Sequence, residues 1–384
     1  MLPIKIQLPD SFFKEETKCG FTITRQSKEL MAVLLDLLVE FDSVCRKNGL
    51  KYMLDSGTLL GALRHDGFIP WDNDVDVVML REEYDKLIKI APEVFKQPYY
   101  WQDNETDPGS LRRHGQLRNS ATTCILRSEM EGDKPLCTFN QGAFLDVFIM
   151  DAVPDEEEEL CEFSKELTRQ ISLQWELKQL YFRNGCDKWI EDAILKGMRS
   201  FESYVAQYNG KGCQRVANIS LIPVRKDNSL FDRKLFEEFE DYTFEGYRFM
   251  GPKDADAILT GYYGDWHKFV IGNDSHGDLL MDMHRPYTDY LAGFRMEDKD
   301  VHPLSEIILQ RDDLRTECED TKQKLYRAWR DYESEHAMVL KEKEMKEAVQ
   351  NALEDTRKQL ARLQEEHHRV ITSRCWRYTK IFRR

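Results

Sequence analysis

The feature that most constrains the fold of this chain is a row of acidic side chains inside an apolar stretch. The segment WDNDVDVVML, residues 71–80, spaces Asp72, Asp74 and Asp76 two residues apart and continues as an apolar run. Two carboxylates about 4 Å apart repel each other by roughly 4 kcal/mol at an effective dielectric constant of about 20. Because that repulsion must be offset, we expect a cation or another compensating group beside these acids.

The alternation of acids and valines predicts a β-strand. Successive side chains of a strand point to opposite faces, so Asp74 and Asp76 share one face and Val75 and Val77 share the other. One alternative is a solvated surface turn, which the alternation disfavours. Another is an EF-hand calcium loop starting at residue 72, which needs a glycine at the sixth position, where this chain has Val77. We favour a divalent cation, Mg²⁺ or Mn²⁺, held by the two aspartates.

A glycine turn in DSGTLLGAL precedes the acidic strand. Ser56, Gly57 and Thr58 offer backbone N–H groups, and glycine lacks the Cβ that would keep a phosphate away. Arg64 and His65 lie between the turn and the acids, where either is a candidate phosphate contact. A surface salt bridge or a packed ring is the alternative for these two. The whole segment therefore predicts a site for a phosphorylated substrate.

Composition and charge exclude several classes of protein. The 384 residues, 41% of them hydrophobic, suffice for a sizeable core, and a net charge of −14 argues against a body that binds nucleic acid. The nine cysteines form no C-x-x-C pair, which favours reduced thiols and the cytosol. We expect no signal peptide, and the most apolar window, LMAVLLDLLVEF, is too short to span a bilayer.

The periodicities predict an α+β fold, with a small mixed sheet flanked by helices. A helix is expected to begin at Ser27 as its N-cap, and helical patterns dominate residues 155–210. VDVVML, GQLRNSATTCILR and GAFLDVFIMDAVP have the pattern of strands. We divide this part of the chain into a lead-in, residues 1–26, and a catalytic domain, residues 27–300.

The C-terminal part has a different composition. Over residues 301–369 charges are dense and apolar residues recur at three, four and seven, which predicts a long helical or coiled-coil stalk capable of self-association. A solvated helix packed on the domain is the alternative. The last sixteen residues contain six Lys or Arg and no acid, so residues 370–384 are predicted to form a basic amphipathic tail that attaches reversibly to an anionic membrane surface. The alternative is a solvated basic end.

Residues 52–87, YMLDSGTLLGALRHDGFIPWDNDVDVVMLREEYDKL, resemble the signature of the LicD/fukutin-related phosphotransferase family, which belongs to the polymerase-β-like nucleotidyltransferase superfamily. The similarity extends through QLRNSATT and GAFLDVF to FEGYRFMGPKDADAILTGYYGDW. It implies a nucleotidyltransferase-like fold and metal-dependent transfer of phosphocholine from CDP-choline, or of glycerol or ribitol phosphate from a CDP-alditol. The acceptor would be a hydroxyl of a capsular or lipopolysaccharide-type glycan, with CMP released.

The resemblance also implies which residues act. Asp74, Asp76 and a third acid, Asp146, would hold the cation, and Asp146 is alternatively the base that takes the hydroxyl proton. Arg118 and Thr122 match family positions and are candidate phosphate contacts, with a sheet-facing polar pair as the alternative.

One departure from the family pattern is Asn73, which stands where the family usually has an acid. Because a strand sends adjacent side chains to opposite faces, we expect Asn73 to point away from the cation. Tyr262, Tyr263 and Trp266 are candidates to face cytidine or a choline ammonium, although core packing is equally compatible with them. His276 and His284 are candidate acceptor contacts.

Three functional interpretations follow. The first is the phosphotransferase, for which we expect a lipid-linked glycan as acceptor at the cytoplasmic face of the membrane. The second is a nucleotidyltransferase, which would release pyrophosphate. The third is a coiled-coil scaffold with an inactive domain. No interpretation includes nucleic acid as a partner.

Overall fold

The computed structural model describes residues 2–131, 134–135, 139–183, 188–219, 230–270 and 279–291. These residues belong to one compact unit, Met1–Arg295. The predicted stalk, residues 301–369, and the tail, residues 370–384, lie outside the described residues. The proposed division into domains therefore stays a prediction.

The described residues contain seven α-helices and fifteen β-strands. The helices are α1 (Arg25–Lys47), α2 (Ser56–His65), α3 (Arg81–Val94), α4 (Glu157–Arg183), α5 (Lys188–Val205), α6 (Ala255–Tyr263) and α7 (Tyr287–Leu291). The strands are β1 (Glu16–Lys18), β2 (Phe21–Ile23), β3 (Met53–Leu54), β4 (Asp76–Leu80), β5 (Tyr99–Gln102), β6 (Gly115–Asn119), β7 (Thr123–Leu126), β8 (Met130–Glu131), β9 (Lys134–Pro135), β10 (Ala143–Val153), β11 (Arg215–Asn218), β12 (Leu230–Asp232), β13 (Phe239–Phe244), β14 (Tyr247–Pro252) and β15 (Leu279–Asp282).

The main sheet is mixed and has seven strands, of which β10 is the longest. Along one path the order is β12-β11-β10-β4-β3, and β6 pairs with the first half of β10 and carries β5 beyond it. Only β4 and β10 run parallel; the other pairs of this sheet are antiparallel. The predicted α+β class with a small mixed sheet is therefore confirmed for the described residues.

Helix α1 covers one face of this sheet. Its apolar residues recur at three and four and are buried, among them Leu30, Leu34 and Phe41, all at most 2% exposed. The strand residues Leu117, Leu145 and Val147 are completely buried in the same core cluster. This packing leaves the opposite face of β4, β6 and β10 for polar side chains.

Several sequence-based element boundaries need correction. Helix α1 begins three residues before the expected point, because Thr24 is the N-cap and its Oγ1 accepts from the backbone N–H of Ser27 at 3.2 Å. The predicted strand GQLRNSATTCILR is two strands, β6 and β7, separated by a turn. The predicted glycine turn is the start of helix α2. The two predicted helices within residues 155–210 are present as α4 and α5.

Gly61 lies where helix α2 packs closely against the loop that follows it. A Cβ at Gly61 would lie 2.4 Å from the carbonyl oxygen of Gly67, so glycine is needed for the close approach of helix and loop.

Among the described residues, each helix is either too short or too polar to span a lipid bilayer.

Candidate active site

Two of the predicted acids lie side by side on the parallel strands. Asp76 opens β4 and is the direct register partner of Asp146 on β10. The backbone N–H of Asp146 also donates to the carbonyl oxygen of Val75 at 3.0 Å. Directly paired residues of neighbouring strands point to the same face, so the two carboxylates lie on the face opposite α1. Asp74, 8% exposed, precedes the strand by two residues and belongs to the same cluster.

Two further acids join this cluster, and the sequence analysis did not assign either of them. Asp55 is 1% exposed, and its backbone N–H donates to the carbonyl oxygen of Asp76 at 3.1 Å. Its Oδ1 has no hydrogen-bond partner. Asp72 lies over the first turn of α2, where a Cβ on Gly57 would come within 2.7 Å of Asp72 Oδ2. The site therefore has five carboxylates rather than three.

The electrostatics reflect this concentration of negative charge. Burial raises the pKa of Asp76 well above its usual range, and the charges of Asp74 and Asp146 raise it further, followed by those of Asp55 and Asp72. Burial also raises the pKa of Asp55 to about 6. Like charges in a poorly solvated place disfavour ionisation, so a cation bound beside Asp76 would favour its ionised form.

Asp146 behaves differently because it has its own hydrogen-bond donors. Gln116 Nε2 donates to Asp146 Oδ1 at 2.5 Å, and His114 Nε2 lies 3.0 Å from the same oxygen. Burial alone would raise the pKa of Asp146, but His114 and Gln116 outweigh it and hold the pKa at about 2. Since burial lowers the pKa of His114, the amide of Gln116 is the donor whose contribution does not depend on pH.

Sequence reasoning missed His114 and Gln116. The alternation in HGQLRN puts them, together with Arg118, on one face of a strand. What connects them to the acids is the register of β6 against β10, in which Gln116 pairs with Asp146. The ring of His114 also packs on Phe148, with centroids 4.8 Å apart.

The Ser56–Thr58 turn contacts the acidic strand directly. Thr58 is 4% exposed, and its Oγ1 accepts from the backbone N–H of Asp76 at 2.8 Å. Ser56 Oγ donates to Asp55 Oδ2 at 3.3 Å. The space beside Gly57, expected to admit a phosphate, holds the carboxylate of Asp72. The turn thus positions the acids, and a phosphate would reach the backbone of Gly57 only if Asp72 moved.

Arg64 and His65 do not adjoin the acid cluster. They form the last turn of α2, whereas Asp55 caps the first turn, and ten residues of helix span roughly 13 Å. Arg64 donates to the carbonyl oxygens of Trp266 and Lys268, the latter at 3.0 Å. Burial and the charge of Arg64 lower the pKa of His65. Arg64 thus connects α2 with the segment after α6, and a phosphate contact by Arg64 or His65 stays a prediction.

Arg118 and Thr122 are buried inside the sheet. Arg118 is 1% exposed and Thr122 is fully buried. Thr122 Oγ1 donates to the carbonyl oxygen of Asn119 at 2.7 Å and accepts from the N–H of Ala143 at 2.9 Å. Their positions match the sheet-facing alternative, and a direct phosphate contact by either residue stays a prediction.

The predicted aromatic residues divide into two groups. Tyr262 and Tyr263 are near the acids: both have a raised pKa, caused by burial first and then by Asp55. The buried hydroxyl of Tyr262 interacts with the carboxylate of Asp55, although no hydrogen bond of standard geometry joins them, whereas Tyr263 is 47% exposed. Trp266 instead donates from Nε1 to Asp256 Oδ1 at 2.9 Å.

The structure describes one of the two candidate acceptor contacts. His284 Nε2 lies 3.1 Å from a carboxylate oxygen of Glu29. His276 is outside the described residues.

The donor chemistry of the cluster fits a hard divalent cation. Carboxylate oxygens are the ligands that Mg²⁺ and Mn²⁺ prefer, and the partnerless Oδ1 of buried Asp55 adds one more. Within the part of the chain that the structure describes, no three His, Cys, Asp or Glu side chains already form a metal-binding group. The repulsion that raises the pKa of Asp76 is the interaction that a bound cation would remove.

Comparisons with known proteins agree with this arrangement. Residues 49–120 match the family model described as LicD/FKTN/FKRP, nucleotidyltransferase domain. The lipopolysaccharide cholinephosphotransferase LicD of Haemophilus influenzae is 27% identical over 257 residues, which cover 64% of this chain and 93% of that protein.

Two uncharacterized rickettsial proteins are similar over shorter regions. The one from Rickettsia typhi is 40% identical over 76 residues, 20% of this chain and 24% of that protein. The one from Rickettsia prowazekii is 42% identical over 67 residues, 17% of this chain and 25% of that protein. Residues 49–120, which contain Asp55, Thr58, Asp74 and Asp76, are thus similar to the nucleotidyltransferase domain of the LicD/FKTN/FKRP family.

Proposed function

We propose that this chain transfers a phospho-alcohol, phosphocholine from CDP-choline in the first place, to a hydroxyl of a lipopolysaccharide-type glycan. The observation that carries the proposal is the pairing of Asp76 with Asp146 on parallel strands, beside the turn of a LicD-type domain. The similarity to a lipopolysaccharide cholinephosphotransferase supports this choice of alcohol and acceptor. CDP-glycerol and CDP-ribitol are the alternative donors, and capsular glycans the alternative acceptors.

The reaction would be an in-line displacement at phosphorus. The acceptor oxygen forms a bond to the phosphorus of phosphocholine, the bond from that phosphorus to the oxygen of CMP breaks, and the hydroxyl proton passes to solvent water. Such reactions depend mainly on positioning and on stabilising the charge of the transferred group. A divalent cation supplies that stabilisation when bound.

The residues of this chain would divide the remaining work. Asp74, Asp76 and Asp146 would hold Mg²⁺ or Mn²⁺. Two donors on Oδ1 keep Asp146 ionised, which suits a cation ligand better than a base. Thr58 fixes the start of β4 through its bond to the N–H of Asp76.

The basic group expected to balance the phosphate charge has to be reassigned, since Arg64 and Arg118 are committed elsewhere. We propose Arg112, whose charge contributes to the lowered pKa of Asp146. Its side chain is 12% exposed, Nη2 donates to Glu129 at 2.9 Å, and Nε is buried without a partner. This leaves Arg112 held in place with a donor still available.

The experiment that tests the proposal is calorimetric titration with CDP-choline, CDP-glycerol and CDP-ribitol, each with and without Mg²⁺. The same titrations are made with Asp74→Asn/Asp76→Asn. The control is Asp66→Asn, an exposed acid in the left-handed region at φ 52°, which asparagine also tolerates.

Cation-dependent binding of one donor, lost in the double variant and kept in the control, is the expected result and would identify the alcohol. Binding of none of the three CDP donors would contradict the proposal. Release of pyrophosphate instead of CMP in a turnover assay would establish the nucleotidyltransferase, and absence of both activities would favour the scaffold.

The proposal extends to location through residues outside the described part of the chain. Attachment to the cytoplasmic face of the membrane through residues 370–384 would bring the site to a lipid-linked acceptor, and residues 301–369 would mediate self-association. Deleting residues 370–384 should move the protein from the membrane to the soluble fraction and leave donor binding intact. Unchanged partitioning would contradict this part of the proposal.

A further inference from the structure

A row of polar side chains crosses four strands of the main sheet and ends at the acid cluster. Gln102 on β5 pairs in register with Gln116 on β6, Gln116 pairs with Asp146 on β10, and Asp146 pairs with Asp76 on β4. Directly paired residues share a face, so all four side chains lie on the face that carries the acids. Gln102 and Gln116 are each 1% exposed.

Arg118 connects the members of this row. Its Nε donates to Gln102 Oε1 at 2.5 Å and its Nη2 donates to Gln116 Oε1 at 2.6 Å. Its Nη1 donates to the carbonyl oxygen of Gly142 at 2.7 Å. The guanidinium also lies over the ring of Phe144, 4.8 Å from its centroid. Each of these donors is thus used within the sheet.

The direction of every hydrogen bond in the row follows from Arg118. A guanidinium can only donate, so the side-chain oxygens of Gln102 and Gln116 must face it. The amide of Gln116 is thereby oriented with Nε2 toward Asp146, where it donates to Oδ1 at 2.5 Å. The ionised carboxylate of Asp146 can only accept and favours the same orientation, so Arg118 and Asp146 hold the amide of Gln116 from its two ends.

The three bonds of Arg118 all go to neutral oxygens, which is an expensive way to bury a charge. Burial and, to a smaller extent, the charge of Arg112 lower the pKa of Arg118 to about 10. An apolar side chain over Phe144 would fill the same space without desolvating a cation. What only a fixed cationic donor provides is the orientation of the two amides and a positive charge on the side of the sheet that carries Asp146.

We infer that Arg118 and Gln116 are positioning residues that hold the carboxylate of Asp146 in the orientation in which it binds the cation. Arg118 acts through Gln116 and does not contact substrate. The inference rests on the proposed function, because it assumes that Asp146 is a cation ligand. Hydrogen bonds from neighbouring residues to a metal-binding side chain are a general means of fixing the orientation of that side chain. Their loss weakens metal binding on the order of 10-fold or more.

The test measures Mn²⁺ affinity from the paramagnetic resonance signal of free Mn²⁺, without donor or acceptor. The variants are Arg118→Met, which keeps apolar bulk over Phe144, Gln116→Met, and the conservative Arg118→Lys. The control is Thr122→Val, which removes two buried hydrogen bonds of the same sheet without touching the row. Urea unfolding of each variant reports stability separately, and the turnover assay separates kcat from KM for the donor.

Arg118→Met and Gln116→Met are expected to bind Mn²⁺ on the order of 10-fold more weakly, to lower kcat and to leave KM for the donor within about 3-fold. Arg118→Lys should lie between them and the wild type, which keeps the test decisive if the methionine variants fail to fold. Thr122→Val should lose stability and keep its Mn²⁺ affinity. Wild-type Mn²⁺ affinity in the Arg118 and Gln116 variants would overturn the positioning role and leave the cation site standing. No Mn²⁺ binding by the wild type would overturn both.

Discussion

The two ends of the β4–β10 strand pair differ in how their buried charged side chains are paired. At one end Asp76 and Asp146 lie side by side among three further acids. At the other end Arg81, the residue after β4, meets Asp151 on β10, with Nε donating at 2.7 Å and Nη2 at 2.9 Å. Glu202 accepts a further bond from Arg81.

The difference lies in compensation and not in burial. Arg81 is 5% exposed and Asp151 is 2% exposed, much as Asp146 is 5% exposed. At the ion-pair end, burial would lower the pKa of Arg81, but Asp151 and Glu202 raise it above its usual range. At the acid end, burial and the neighbouring acids both act against the charge of Asp76. The same two strands thus carry a compensated ion pair and an acid cluster whose proposed role is to bind a cation.

The largest expected effect is at the acid end, from Asp76→Asn. We expect transfer to fall by about 10²–10³-fold, as for the loss of one preorganised electrostatic group, with Mn²⁺ binding greatly weakened. Stability in EDTA should stay equal or increase, because a charge is removed from a repulsive cluster. A CMP-release assay and urea unfolding check these outcomes. A loss of stability as large as the loss of activity would show that Asp76 serves the fold after all.

The opposite pattern is expected at the ion-pair end, from Asp151→Asn. Arg81 would keep Glu202 but lose its buried partner, so the free energy of unfolding should fall by about 3 kcal/mol. Donor and Mn²⁺ affinity of the folded protein should not change. Urea unfolding and calorimetry on the same preparation measure both quantities. Wild-type stability of this variant, or a loss of its cation binding, would contradict the assignment of the Arg81–Asp151 ion pair to the fold.

An effect of similar size concerns pH and Asp55. Its folded pKa of about 6 lies above the unfolded value, so the protonated carboxyl favours folding. That contribution is fully present below about pH 4 and is lost as the pH rises through about 6, by roughly 3 kcal/mol in total. Asp55→Asn cannot ionise and should become more stable relative to the wild type over this interval, in EDTA. A stability difference that is constant between pH 4 and 7 would contradict the burial of an uncompensated carboxyl.

The sequence analysis could predict what depends on local periodicity. The alternation in VDVVML and GAFLDVFIMDAVP predicted the strands that carry Asp76 and Asp146, and the structure contains them as β4 and β10. The clustering of Asp74, Asp76 and Asp146 was implied only by the resemblance to the family, since periodicity does not determine which strands are neighbours. Their roles at the site stay predictions.

The sequence could not predict the register between neighbouring strands or which loop packs over the start of α2. The period of HGQLRN says that His114, Gln116 and Arg118 share a face, but pairing with β5 and β10 decides that Arg118 is buried between glutamines. Likewise, the position of Asp72 over the first turn of α2 depends on how the loop after α2 returns. The contacts that Arg64 and Arg118 make with other parts of the fold could therefore not be predicted from their positions near a motif.

The smallest expected effect distinguishes the two glycines of α2. A Cβ at Gly57 would lie 2.7 Å from Asp72 Oδ2, the far end of a side chain that can rotate. Replacing glycine by alanine in a helix gains up to about 1 kcal/mol, so Gly57→Ala should change the free energy of unfolding by less than about 1 kcal/mol. In Gly61→Ala the Cβ would lie 2.4 Å from the backbone oxygen of Gly67, which cannot rotate away, and a loss of about 1–3 kcal/mol is expected. Urea unfolding of both variants tests whether the acid end is adjustable. Equal losses of stability in the two variants would mean that the side chain of Asp72 is held as rigidly as the backbone. The carboxylates at the acid end would then be as fixed as the ion pair of Arg81 and Asp151 and could not rearrange around a cation.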